Sequence, residues 1–144
     1  MTKEVMVTIS GFQTAEEEED NIELVHIGEY FERNGTHYVL FDELMEGLSE
    51  PVKNRIKIKD GRLEVQKKGP VSANMIFEEG KSQSTTYAVP YGSFLIEILT
   101  NSVHIQKEEN LIEVCAAYSL EINGVHGADC DIHVKIEPRE TFRL

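Results

Sequence analysis

Chemistry in this chain could arise where polar residues fall in phase with apolar ones, because a polar side chain on a buried face must find a partner or a ligand. Glu43 continues the phase of Val39 and Phe41, and pairing across Asn34-Gly35 sets it opposite His26. Asn54 and Lys67 share a phase with Ile56, Ile58, Leu63 and Val65. Thr100 extends the Phe94, Ile96, Ile98 phase, and Tyr118 interrupts an aliphatic run from Ile112 to Ile122. In a closed sheet these side chains point into one lumen, where a few convergent polar groups in an apolar cavity would orient a small, partly apolar ligand. The competing reading makes Tyr118 and Thr100 satisfied core residues and leaves Glu43, Asn54 and Lys67 at a solvated rim, since small barrels are often filled by their own side chains.

Other chemistries find less support. His26 with Glu43 is the acid–base pair that the register suggests, and a cross-strand His–carboxylate pair is more often structural than catalytic. Asp129, Asp131 and His133 alternate on one strand face, with His126 in the preceding turn. Successive same-face residues are about 7 Å apart, so one ion cannot readily take all three, and no metal or other cofactor is expected. No Ser/His/Asp order, Cys–His pairing or phosphate-cradling glycine loop stands out. A non-enzymatic protein is therefore expected. Lys53, Arg55, Lys57, Lys59, Arg62 and Lys68 form a basic stripe that could dock an anion, although solubility and edge protection explain it equally well.

The elements that must position these residues are strands. Residues 53–59 and 62–68 flank Asp60-Gly61, a strong hairpin signal when alternating residues surround it. Folding there pairs Lys59 with Arg62, Ile58 with Leu63, Lys57 with Glu64, Ile56 with Val65 and Lys53 with Lys68. A two-residue turn of this kind is expected to hold both central residues at positive φ. Asn34-Gly35 predicts a second hairpin, with Phe31 opposite Tyr38, Tyr30 opposite Val39, Gly28 opposite Phe41 and His26 opposite Glu43. Both faces of that hairpin carry large apolar residues.

Further strands are predicted around Val5 to Ile9, over 72–78 and 83–89 about a Glu79-Gly80-Lys81 turn, and from Phe94 onward. Apolar positions move from even to odd numbers at Asn101-Ser102, which requires a turn or bulge. The last strands run from Ile112 to Ile122 and from about Cys130 to Ile136, joined through 123–127. They place Cys115 and Cys130 on opposite faces, so both are expected as free thiols. Nowhere do apolar residues persist at helical spacing over two turns. About ten short-looped strands imply an antiparallel meander, and closure into an up-and-down barrel removes the exposed edges.

A length of 144 residues suits one domain spanning 1–144. The net charge of −12 is uneven: residues 1–50 hold two basic against thirteen acidic residues, and the remainder twelve against thirteen. Such acidity disfavours nonspecific binding to nucleic acid or anionic membranes. The Glu16 to Asp20 run reads as a solvated loop. No apolar run approaches the ~20 residues that span a bilayer, and the N-terminal residues lack the apolar stretch of a signal peptide, so a cytoplasmic location is expected.

The chain resembles the DUF1934 (YwiB-like) group of small bacterial proteins. The resemblance rests on Gly28-Glu29-Tyr30, Tyr38 to Glu43, Lys67-Lys68-Gly69, Tyr87 through Tyr91-Gly92, Leu99-Thr100 and Ala117 to Leu120. It departs at Lys67-Lys68-Gly69, where an Arg-x-Gly is expected, and at Ala88-Val89-Pro90, where a Thr is expected. The resemblance implies a lipocalin-like barrel of the calycin type with about 8–10 strands, without implying an activity. It also brings Tyr91 into the candidate set beside His26, Glu43, Asn54, Lys67, Thr100 and Tyr118. The alternative to a ligand-binding lumen is a homodimeric interaction module with a filled barrel, using the two-sided hairpin over 21–44 as its contact surface.

Overall fold

The structure, a computed structural model, describes residues 1–11 and 23–142. The Glu16 to Asp20 run therefore lies outside the described residues. Ten strands follow in order: β1 (Glu4–Ser10), β2 (Glu23–Arg33), β3 (Thr36–Glu43), β4 (Val52–Lys59), β5 (Arg62–Lys68), β6 (Ala73–Glu78), β7 (Ser82–Val89), β8 (Gly92–Glu108), β9 (Leu111–Ile122) and β10 (Val125–Pro138). A short 3-10 turn, Arg139–Thr141, follows β10. The strands form one sheet in the order β6-β5-β4-β3-β2-β1-β10-β9-β8-β7. All its ladders are antiparallel, including β1 with β10, so the sheet curls into a nearly closed up-and-down barrel.

The Asp60-Gly61 hairpin has the register read from sequence, from Lys59–Arg62 through Ile56–Val65 to Lys53–Lys68. Its turn differs in detail. Gly61 has φ +70°, whereas Asp60 keeps a negative φ, so the demand falls on the second position alone, as in a type II turn. Asn34 and Gly35 both have positive φ, at 53° and 79°, as the primed hairpin turn requires. Asn123 and Gly124 repeat that pattern at 49° and 84°. This tightens the expected 123–127 connection to two residues and starts β10 at Val125, with a bulge between His126 and Ala128. The phase change in β8 is a bulge between Thr100 and Ser102.

Two predicted pairings give way. The β2–β3 ladder runs from Arg33–Thr36 only to Glu29–Leu40. Beyond it β2 keeps a ladder only with β1, on its other edge, where His26 lies opposite Val7, and His26 has no ladder pairing with Glu43. The β6–β7 hairpin is splayed and forms the barrel seam. Its turn is engaged by β8 instead: the Gly80 N–H donates to the Thr100 carbonyl (2.9 Å) and the Thr100 N–H to the Lys81 carbonyl (3.0 Å). Across the gap, the Gln83 side chain accepts from the Ile76 N–H (2.9 Å) and donates to the Asn74 carbonyl (3.0 Å). That amide stands in for a missing ladder peptide. Farther along, Ser72 and Ala88 exchange two backbone hydrogen bonds of 2.9 Å.

Inward residues pack one end of the barrel solid. Val5, Val39, Ile58, Leu63, Phe77, Val114 and Ile136 lie there, each inaccessible to solvent. Gly28 lets β2 enter this core, because a Cβ there would sit 3.0 Å from Val39 Cγ1, 3.1 Å from the Leu40 carbonyl oxygen and 3.2 Å from Val7 Cγ2. Gly28→Ala is accordingly expected to destabilise by about 1–3 kcal/mol through overpacking. Urea unfolding would measure it, and a change under about 0.5 kcal/mol would show that the wall yields freely.

Candidate functional site

Antiparallel alternation brings the ends of β1, β3, β5, β7 and β9 together with the starts of β2, β4, β6, β8 and β10. The lumen opens at this end. Its larger part is an apolar cavity of about 400 Å³, walled by residues that include Met75, Phe77, Phe94, Ile96, Tyr118 and Leu120. A smaller part of about 150 Å³ is lined by His26, Phe41, Glu43, Asn54, Val65, Lys67 and others. Tyr87 lines both parts, which adjoin at its side chain. The barrel is thus filled at one end and open at the other.

The polar part is built by register. Asn54 and Lys67 are a cross-strand pair of β4 and β5, and Phe41 lies opposite Asn54, bringing Glu43 alongside. The Lys67 ammonium donates to Glu43 Oε1 (2.8 Å) and to Asn54 Oδ1 (2.9 Å). Asn54 Nδ2 donates to the same carboxylate oxygen (3.2 Å) and to the Val52 carbonyl (3.3 Å). The Glu43 and Lys67 side chains are only 15% and 14% exposed, so this pair is largely withdrawn from water. The His26 ring stacks on Phe41 at 4.6 Å between centroids. His26 therefore joins Glu43 through space in the lumen, not through the strand pairing that the sequence predicts.

Electrostatics follow from these contacts. Burial pushes the Glu43 carboxyl up, but the Lys67 ammonium, the Asn54 amide and His26 together outweigh it, and the pKa lies below its ordinary value. Burial lowers His26 below its ordinary 6.5, with Glu43 opposing and Lys67 assisting. His37, hydrogen-bonded to the Tyr30 hydroxyl at 2.7 Å, is also lowered, chiefly by burial. Burial raises Tyr87, with Glu43 and Tyr91 adding to the shift. Tyr118 is pushed well up, first by burial and then by Cys130, whose thiol shares a hydrogen bond with its hydroxyl. The Cys130 thiol is itself raised by burial.

These shifts give a sign to the pH dependence of stability. A histidine whose folded pKa is depressed contributes fully above its unfolded value and loses that contribution as pH falls through the folded value. His26 and His37 thus favour folding above 6.5 and weaken it on acidification. Glu43, also depressed, adds a further loss below 4.5. Urea unfolding should show stability falling between about pH 7.5 and about pH 5.5, with a shallower slope in His26→Gln. An unchanged slope in that variant would remove His26 from the account.

The remaining candidates divide. Tyr118 lines the apolar cavity and meets Phe77 edge-on at 4.9 Å. Tyr91 also lines it, at the mouth, where it is 84% exposed. Thr100, 1% exposed, lines neither part of the lumen; it lies at the β8 bulge opposite Tyr118, and its hydroxyl has no partner among the described residues. The candidate set read from sequence leaves out Tyr87 and Cys130, which both line the lumen. Cys130 had a visible inward phase, whereas Tyr87 alternates with the polar Gln83 and Thr85, which conceal an inward face.

Features outside the lumen find separate partners. His133 pairs with Glu113 (3.0 Å), and Asp129 accepts from Ser119 (2.9 Å). No cluster suited to a metal occurs among the described residues. Along the basic stripe, Arg55 and Arg62 reach Glu64, Arg62 also reaches Glu78, and Lys53 reaches Asp42. On the outer face of β2 and β3, Phe31 stacks on Tyr38 at 4.8 Å under Arg33 and Lys57, while Ile27 and Leu40 stay 52% and 38% exposed. Cys115 and Cys130 are both free. No helix among the described residues is long and apolar enough to cross a membrane.

The class defined by this architecture is an antiparallel ten-stranded β-barrel, plugged at one end and open at the other onto a lumen with apolar and polar halves. The family described as Domain of unknown function (DUF1934) matches residues 7–134, and the chain belongs to that family. Its fold is similar to the crystal structure of the ywiB protein from Bacillus subtilis, with a TM-score of 0.74 at 20% identity over 94% of this chain and 89% of that one. No curated protein matches the chain.

Proposed function

We propose that this protein binds a small, partly apolar molecule in the open half of its barrel without performing chemistry on it. The observation that carries this reading is the apolar cavity of about 400 Å³, which falls within the ~300–1,000 Å³ of ligand pockets and adjoins a compact polar cluster. Apolar walls supply affinity, while Glu43, Lys67, Tyr87 and Tyr118 set orientation. Glu43 and Asn54 are already engaged with Lys67, which favours a recognition role over proton transfer. Two free thiols suit a reducing compartment, so the cytoplasm is the proposed location.

The neutral fluorophore phenylnaphthylamine tests the lumen directly. One molecule per chain is expected to bind with increased emission, and Leu120→Trp, which narrows the cavity, is expected to weaken binding while leaving the fold intact by circular dichroism. Binding undiminished by that substitution would place the probe elsewhere and overturn the reading. A second reading, homodimerisation through the outer face of β2 and β3, is favoured by the exposure of Ile27 and Leu40. Sedimentation would show a dimer that Ile27→Glu dissociates; a monomer at all concentrations would exclude it.

A further inference from the structure

We infer that the ligand's polar end is uncharged and carries both a hydrogen-bond donor and an acceptor, as a primary amide does, and that the lumen discriminates against carboxylates and ammonium ions alike. This inference rests on the lumen-binding reading and concerns what the polar half can accept.

The argument is a count of valences. An ammonium has three N–H donors. Two of those on Lys67 go to Glu43 Oε1 and Asn54 Oδ1, leaving one. Glu43 Oε1 receives both Lys67 and Asn54, whereas Oε2 has no hydrogen bond among the described residues. Both amide hydrogens of Asn54 are used, on Glu43 and on the Val52 carbonyl. The cluster therefore presents one spare donor and one spare acceptor oxygen beside Tyr87, where the apolar cavity begins. His26, stacked on Phe41, adds a ring with one donor and one acceptor nitrogen when neutral.

The charges are matched and largely buried, and that decides the selectivity. A carboxylate accepting the spare Lys67 N–H would place a second anion beside Glu43, two negative charges on one ammonium. An ammonium donating to Glu43 Oε2 would place a second cation beside Lys67, two positive charges on one carboxylate. Either leaves one charge poorly compensated in a site withdrawn from water, which is costly. An amide can accept from the spare Lys67 N–H and donate to Glu43 Oε2 with the pair intact. Its alkyl chain then runs past Tyr87 into the cavity walled by Met75, Phe94, Ile96 and Leu120.

The test is competition against bound phenylnaphthylamine by decanamide, decanoate and decylamine, which share an alkyl length and differ in the charge of the polar end. At neutral pH decanamide is expected to compete roughly tenfold or more better than either ion, the scale of leaving a buried polar group unpaired. Glu43→Gln, which releases the Lys67 charge, should shift the preference toward decanoate. Lys67→Met should shift it toward decylamine. Decanoate strongest in the unmodified protein would mean that Lys67 acts as a free cation, and decylamine strongest that the acidity of the whole chain dominates; either overturns the inference. Equal competition by all three overturns it as well, while leaving lumen binding in place. Should phenylnaphthylamine itself fail to bind, the lumen reading falls and this inference falls with it. If Lys67→Met does not fold, the ranking in the unmodified protein and the near-isosteric Glu43→Gln still decide.

Discussion

Phe77→Ala is expected to cost about 3–4 kcal/mol of unfolding free energy, a large share of what a domain of this size possesses. Phe77 is inaccessible to solvent, so the full transfer term of its ring is lost. It lies on the boundary between the packed end and the open lumen, lining the apolar cavity and meeting Tyr118 edge-on at 4.9 Å. Its removal joins a new void to a cavity that strand ladders already hold open, which limits collapse. Phe77→Leu, closer in volume, should cost about 1–2 kcal/mol. Urea unfolding reads both values. Phenylnaphthylamine binding should survive in folded Phe77→Ala protein, because the lumen has only grown. A cost below about 1 kcal/mol would show that the boundary is mobile enough to close over the gap.

Lys67→Met is expected to destabilise by about 2–4 kcal/mol at neutral pH. Removing one partner of a buried ion pair usually costs about 3–5 kcal/mol, and the slight exposure at the mouth moderates that figure. The damage comes from the partner left behind: Glu43 keeps its charge with only the Asn54 amide and His26 to compensate it. The pH signature separates this account from a simple loss of packing. Without Lys67, burial dominates and the folded Glu43 pKa rises above its unfolded value, so the variant recovers stability as acid neutralises the carboxyl. The gap between parent and variant should therefore narrow on acidification through the carboxylate range. A gap constant with pH would assign the cost to the lysine's alkyl chain instead. Glu43→Gln, which retains an acceptor for both Lys67 and Asn54, should cost less, about 1–2 kcal/mol.

Much of this molecule was legible as a sequence. The Asp60-Gly61 hairpin was readable to the residue, because every apolar position on one strand has an apolar position opposite it and a slip of one would expose them all. The same periodicity placed Asn54 and Lys67 as cross-strand neighbours on the inner face. It also located the β8 bulge, since apolar residues on even and then odd numbers cannot share a face without one. The misreadings share a cause as well. Setting His26 against Glu43 extends the β2–β3 ladder beyond Glu29–Leu40, where it ends. The β6–β7 pair looks like an ordinary hairpin in sequence, but the two strands are the ends of the sheet and a Gln83 amide spans the gap between them. A local pattern contains no record of where a ladder stops as the sheet curls.

Alternation, turn glycines and charge placement by themselves determined the strands, most of their registers and the face that each side chain takes. These depend on a two-residue period and on which residues tolerate positive φ, both local properties. Only the tertiary structure decided that the barrel is packed at one end and hollow at the other, and that Thr100 lines neither half of the lumen while Tyr87 lines both. Whether a lumen is filled depends on the summed volumes of side chains facing one another from strands far apart in the chain. Whether Lys67 is a free cation or a neutralised one depends on Glu43, which reaches it from two strands away across the curve of the sheet.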